Sequence, residues 1–183
     1  MMEDLSLHIL DIAQNAIAAR ARRIWLRINE DLEGDRLTLE IEDDGHGMDE
    51  PTLRQAADPF FTTCSARSVG LGLSLLSEAA RATGGALAVE SAPGAGTRVL
   101  ATFRPGHVDM KPLGDIAQTL LTLLAGHPEI ELSYSHTIGG KAFSFESAEI
   151  RSGPGERPAS APGVSSWIED QIRQGLADLT GSE

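Results

Sequence analysis

Glu42-Asp43-Asp44-Gly45-His46-Gly47-Met48 is the stretch on which the reading of this chain turns. It follows Leu37, Leu39 and Ile41, whose alternation with polar residues has strand spacing. Glycines at a strand end let backbone come close to a ligand, and a carboxylate placed there can accept an amine proton. Taken alone, the same residues also suit an ordinary acidic turn. Upstream, Ile24, Leu26 and Ile28 alternate with Trp25, Arg27 and Asn29, so another strand precedes, with Asp31–Asp35 as the hairpin loop. Further back, Leu5, Ile9, Ile12, Ala13, Ala16 and Ile17 recur at helical spacing and predict an amphipathic helix over residues 3–20.

Downstream, Asp49 is placed to cap a short helix carrying Leu53 and Ala56. Residues 70–83 read as another helix, stopped by Gly84-Gly85. Strands around Leu87–Val89 and Val99–Phe103 follow, joined by the turn Pro93-Gly94-Ala95-Gly96. The economical assembly is an α/β two-layer sandwich, a mixed sheet with helices on one face, occupying residues 1–104. Residues 105–150 read as an extension of one helix and one hairpin. Its helix carries the stripe Leu113, Ile116, Ala117, Leu120, Leu121 and Leu124, ended by Gly126. Its hairpin sets Ile130, Leu132 and Tyr134 before Gly139-Gly140 and Phe143 and Phe145 after. Residues 151–163, rich in Gly, Pro, Ser and Ala, read as a flexible linker. Ser166 and Glu169 have capping-box spacing for a last helix within 164–183, whose apolar residues are Trp167, Ile168, Ile172 and Leu176.

A chain of 183 residues, 41% hydrophobic, buries roughly 70% of its unfolded surface and builds a core without disulfides. The single cysteine, Cys64, excludes a disulfide framework and a four-cysteine zinc site. No apolar run approaches the ~18 residues of a membrane span, and Met1-Met2-Glu3-Asp4 does not open a signal peptide. Fifteen Lys and Arg against twenty-seven Asp and Glu leave a formal charge of −12. That field repels phosphate backbones and anionic lipid, so neither nucleic acid nor membrane is the expected partner, and a cytoplasmic protein is expected.

Three further groups carry chemistry. Asp11 and Asn15 stand four apart on the opening helix and project from one face, with His8 one turn earlier. A carboxylate beside an amide oxygen suits a hard cation and an oriented water, although a solvated polar face has the same spacing. The run from Asp58-Pro59-Phe60-Phe61-Thr62-Thr63 to Val69-Gly70-Leu71-Gly72-Leu73 ends on glycines at a helix start, where free amides can bind phosphate oxygens. The polar stretch Thr62–Ser68 between them has the character of a lid. Gly94-Ala95-Gly96-Thr97 by itself marks only a turn.

Taken in order, these boxes resemble the GHKL ATP-binding superfamily with its Bergerat fold, over residues 5–104. Pro59-Phe60-Phe61-Thr62-Thr63 and the short lid look most like bacterial sensor histidine kinases. The resemblance implies ATP and Mg²⁺ as cofactors. Asn15 matches the magnesium-ligating asparagine, and Asp11 the acid that polarises the attacking group. Asp43 matches the aspartate that accepts the adenine amino group, with Gly45 and Gly47 making room for the ring. Phe60 and Phe61 match the lid base. Gly70 and Gly72 match the glycines that offer amides to the phosphates. Thr62, Thr63, Leu71 and Leu73 belong to the same nucleotide-binding boxes, and Thr97 matches the residue that supports Asp43 through a hydroxyl or a water. Arg67 is the candidate lid cation for the γ-phosphate, and a solvated arginine fits as well.

Three departures accompany the resemblance. Asp11 stands where many members carry glutamate, and Ser68-Val69 replace a frequent Gly-Thr. In addition, His8, His46, His107, His127 and His136 all lack the context of a phospho-accepting histidine, so conventional autophosphorylation is not expected. His8 reads as a packing residue or as one that supports the site residues from behind. Cys64 in the lid reads as incidental, as a lone cysteine more often is, with redox sensing as the lesser alternative. The expected function is a histidine-kinase-like ATPase or protein kinase acting in trans, passing the γ-phosphoryl to water or to a partner protein. The alternative is a non-catalytic ATP-sensing or anti-sigma-like binding module.

Overall fold

Side chains that alternate between apolar and polar build six strands, and those with a 3.6-residue apolar period build the helices that cover them. The computed structural model describes residues 4–57, 71–152 and 163–181. In chain order these form α1 (Leu5–Ala18), β1 (Arg23–Asp31), β2 (Arg36–Asp43), α2 (Glu50–Ala57), α3 (Leu71–Ala82), β3 (Ala86–Ser91), β4 (Thr97–Phe103), α4 (Ile116–Gly126), β5 (Glu131–Ile138), β6 (Lys141–Glu146), α5 (Ser147–Ser152) and α6 (Val164–Thr180). The strands make one mixed sheet in the order β3-β4-β2-β1-β5-β6. Only β1 and β5 run parallel, and the other neighbours are antiparallel.

Ile24, Leu26 and Ile28 of β1, Leu37, Leu39 and Ile41 of β2, and Val99, Ala101 and Phe103 of β4 all point to the helical layer and are buried. There they meet Leu5, Ile9 and Ile12 of α1 and Leu76 and Ala80 of α3 in one core. The opposite face is polar. Arg27 donates to Glu40 at 2.8 Å and to Glu42 at 2.9 Å, and Arg98 reaches Glu40 at 3.0 Å. The resulting α/β sandwich is the one expected from the alternation.

The helix and hairpin of residues 105–150 join this sheet. β5 lies beside β1 over eight register pairs, from Arg23↔Glu131 to Glu30↔Ile138. α4 packs on α1, and α6 packs on α4, β5 and β6. α6 approaches so closely that a Cβ at Gly175 would stand 2.6 Å from Phe143 Cζ.

Several local details differ from the expectation. α4 starts at Ile116 behind Asp115, whose carboxylate accepts from the Gln118 amide at 2.9 Å, so Leu113 lies ahead of the helix. The capping box of Ser166 and Glu169 does not form. α6 begins at Val164 after Gly163, whose φ of 85° is left-handed, and Glu169 instead accepts from Arg173 at 2.8 Å. Trp167 is 52% exposed, and the buried stripe of α6 is Ile168, Ile172 and Leu179. α5 occupies the start of the expected linker, and residues 153–162 lie outside the described residues. So do Phe60, Phe61, Thr62, Thr63, Cys64, Arg67 and Gly70.

Candidate functional site

The C-terminal end of β2 delivers Asp43 to the edge of the core. Register pairs Asp43 with Thr97 on β4, and Thr97 in turn with Ser91 on β3. All three side chains therefore stand in one row on the helical side of three adjacent strands. Asp43 is only 8% exposed. Burial pushes its carboxyl above the ordinary carboxylate range, while hydrogen bonds from the backbone amides of Gly45 and Thr97 favour the charged form. The Gly45 amide donates to Asp43 Oδ1 at 2.8 Å.

The loop after Asp43 is stapled to the α1–β1 turn. Asp44 Oδ1 accepts from the amides of Arg22 and Arg23 at 2.7 and 2.8 Å, and the His46 amide donates to the Ala19 carbonyl at 2.9 Å. Close approach explains the glycines. A Cβ at Gly45 would stand 2.8 Å from Ala19 O, and one at Gly47, whose φ is +67°, would stand 2.8 Å from the Ala92 carbonyl carbon. This stapling sets the distance between β2 and the flank of α1 that carries Asn15.

Between them lies a cavity of about 150 Å³. Asp43 and Thr97 belong to its floor, Asn15 and Ile12 of α1 to one wall, and Met48 and Leu73 also line it. A mostly apolar slot with one buried carboxylate suits a flat heterocycle that offers an amine. Asp11 sits one turn before Asn15, against the first turn of α3. A Cβ at Gly72 would stand 2.9 Å from Asp11 Cγ and overlap Asp11 Oδ2 outright, and it would lie 3.6 Å from Asn15 Nδ2. Burial raises the Asp11 carboxyl, which makes it a stronger base than a solvated aspartate. The structure thus brings Asn15, Asp43, Gly47, Leu73 and Thr97 together around the cavity, with Asp11 and Gly72 packed against each other beside Asn15.

The chain matches the profile of the family described as histidine kinase-, DNA gyrase B- and HSP90-like ATPases over residues 3–107, more than half its length. This chain belongs to that ATPase family. Over part of its length the chain is similar to sensor proteins of bacteria. The C4-dicarboxylate transport sensor protein DctB of Pseudomonas aeruginosa is 40% identical over 83 residues, 44% of this chain and 13% of that protein. The sensor protein kinase FleS of the same organism is 39% identical over 89 residues, covering 49% and 22% of the two chains. The sensor kinase CckA of Brucella abortus is 35% identical over 104 residues, 56% of this chain and 11% of that one. The chain thus spans less than a quarter of each of these relatives. Among solved structures, the N-terminal domain of a DNA repair protein superposes with a TM-score of 0.51 at 14% identity, over 99% of this chain and 58% of that one, which supports the fold. Domains of the ATPase family bind ATP, and an ATP-binding, kinase-like role follows for the segment.

Two residues of the site were not singled out by the sequence. Asp44 clamps the α1–β1 turn, and its place beside Asp43 was the only signal of a role. Ser91 ties Met48, Gly96 and Thr97 together, and nothing in its sequence neighbourhood marks it. The backbone amide of Thr97 also donates to Asp43, a contact the sequence did not announce, and the Thr97 hydroxyl lies 2.9 Å from that of Ser91. His8 is completely buried, and neither ring nitrogen has a hydrogen-bond partner among the described residues. Its pKa is pushed down to about 4, by burial first and by nearby Lys111 second, against the pull of Asp4. Among the described residues no helix is long and apolar enough to cross a membrane.

Proposed function

We propose that the cavity binds Mg-ATP and that the protein is a histidine-kinase-like ATPase or protein kinase acting in trans, delivering the γ-phosphoryl to water or to a side chain of a partner protein. The observation that carries this reading is the buried carboxylate of Asp43 at the cavity floor, opposite an α1 flank that presents Asn15 and Asp11 together. Asp43 accepts the exocyclic amine of adenine, and Gly45 and Gly47 allow the close backbone approach that holds the loop after Asp43 in place. The first turn of α3 turns amides toward the phosphates.

Asn15 fits magnesium, which takes one or two protein oxygens besides phosphate oxygens and water. When bound, the cation neutralises the charge of the phosphates. Asp11, with its raised carboxyl, orients the nucleophile and receives its proton. Most of the rate enhancement comes from this positioning and from charge neutralisation, as in other phosphoryl transfers. Resemblance to sensor kinases supports the reaction class, and the intact acid at position 11 favours chemistry over sensing, since binding alone does not require it.

The test is incubation with γ-labelled ATP, alone and with cell lysate. Labelled phosphate or a labelled partner protein is expected. Nucleotide binding without either product would leave the ATP-sensing module as the reading, and label on this chain itself would contradict transfer in trans.

A further inference from the structure

Counting protons in the row Asp43–Thr97–Ser91 gives the cavity floor a definite hydrogen-bonding character. Ser91 has one hydroxyl proton. The Met48 amide can only donate, and it donates to Ser91 Oγ at 2.8 Å. The Gly96 carbonyl can only accept, and it accepts from Ser91 Oγ at 2.8 Å. The serine proton is therefore spent on Gly96. The contact of 2.9 Å between Ser91 Oγ and Thr97 Oγ1 is then made with the proton of Thr97.

The consequence falls on the cavity. Thr97 lines it beside Asp43, and with its proton committed to Ser91 its hydroxyl oxygen offers only lone pairs there. Asp43, ionised, is also an acceptor only. Its carboxylate already receives the amides of Gly45 and Thr97, two bonds that favour the charged form against the opposing effect of burial. The geometry points to Ser91 as a specificity-determining positioning residue. It touches no nucleotide itself, but by holding the Thr97 proton it makes the floor a pair of acceptors. Such a floor selects a base that presents an amino group, with one hydrogen for Asp43 and one for Thr97. It rejects a base with a carbonyl oxygen at that point.

This inference rests on the assignment of the cavity to adenine nucleotide, and the experiment separates the two. Inosine triphosphate differs from ATP in the relevant place, with a 6-oxygen where adenine has its amine. Calorimetric titrations of ATP and ITP are run with the wild-type protein, Ser91→Ala and Ser91→Thr. The wild type is expected to prefer ATP. In Ser91→Ala the freed Thr97 hydroxyl can turn its proton to the cavity, so the ATP-over-ITP preference falls by about 5- to 10-fold, the scale of one hydrogen bond. Ser91→Thr keeps a hydroxyl and should keep the preference, which distinguishes lost proton control from damaged packing. An unchanged preference in a folded Ser91→Ala protein overturns the role of Ser91 and leaves the adenine assignment standing. A wild type that binds ATP and ITP equally, or neither, overturns the adenine assignment itself.

Discussion

Replacing Gly72 by alanine should destabilise the protein only while Asp11 is present. Gly72 lies in the first turn of α3, where alanine is ordinarily the better helix former by up to about 1 kcal/mol. Here the added Cβ would overlap Asp11 Oδ2 and stand 2.9 Å from Cγ, inside the 3.4 Å at which ordinary contact begins. The carboxylate must then retreat by about 1.5 Å, or the two helices must part, to restore van der Waals separation. Overpacking of this kind costs about 1–3 kcal/mol, so the net change is a loss of about 1 kcal/mol. For a chain of this length that is a fall in Tm of about 2–4 °C.

With Asp11→Ala the obstacle is gone, and Gly72→Ala should instead raise Tm by a similar amount. Thermal unfolding of the wild type, both single variants and the double variant gives the coupling between the two sites, expected at about 2 kcal/mol. Where the protein turns over ATP, Gly72→Ala should also lose turnover more than ATP affinity, because the displaced group is the acid. Additive Tm shifts, within about 0.5 kcal/mol, would refute the claim that Gly72 is glycine to make room for Asp11.

The remaining expectations concern the same helix and the far end of the chain. Asn15→Ala should weaken Mg-ATP binding by removing a cation ligand, whereas Asp11→Asn should spare binding and cut turnover by roughly 100- to 10,000-fold; equal turnover in Asp11→Asn would remove Asp11 as the base. His8 contributes to the pH dependence of stability. Its folded pKa of about 4 lies below the 6.5 of an ordinary imidazole, so the unfolded chain binds the extra proton between these values. The stability it contributes is complete above pH 6.5 and is lost as pH falls toward 4, about 3 kcal/mol in all. Urea titrations of His8→Leu should show that slope flattened, and an unchanged slope would contradict a buried neutral imidazole. Removal of residues 153–183 should leave ATP binding intact, since the cavity lining ends at Val99, but should lower Tm because Ile168 and Ile172 are buried; a folded truncation unable to bind ATP would make α6 part of the site.

The sequence revealed what depends on local pattern. Alternation at Ile24, Leu26 and Ile28 and at Leu37, Leu39 and Ile41 marks β1 and β2 because one face of each strand is buried and the other is wet. The glycines at 45 and 47 signal close backbone approach, and the structure supplies the backbones, at Ala19 and Ala92. What it hid depends on contacts distant in the chain. The parallel joint of β1 with β5 links residues more than a hundred positions apart, and no local period announces it. Gly72 reads as a phosphate-facing glycine, and its close approach to Asp11 shows only when α1 is seen against α3. Ser91 is an unremarkable strand-end serine until the register sets it beside Thr97. Trp167 fits the apolar period of α6, yet it is exposed, because the face turned to the core is the one that carries Ile168, Ile172 and Leu179.

The central claim is that Asp43 reads an adenine amine at the floor of this cavity, and titration of the wild-type protein with ATP and GTP in the presence and absence of magnesium tests it most directly. Guanine presents a carbonyl oxygen where adenine has its amine, so it sets two acceptors face to face. Losing a charge-assisted hydrogen bond costs about 1.5–3 kcal/mol, which predicts magnesium-dependent binding with ATP preferred by about 10- to 100-fold. Equal affinity for the two nucleotides would contradict the account.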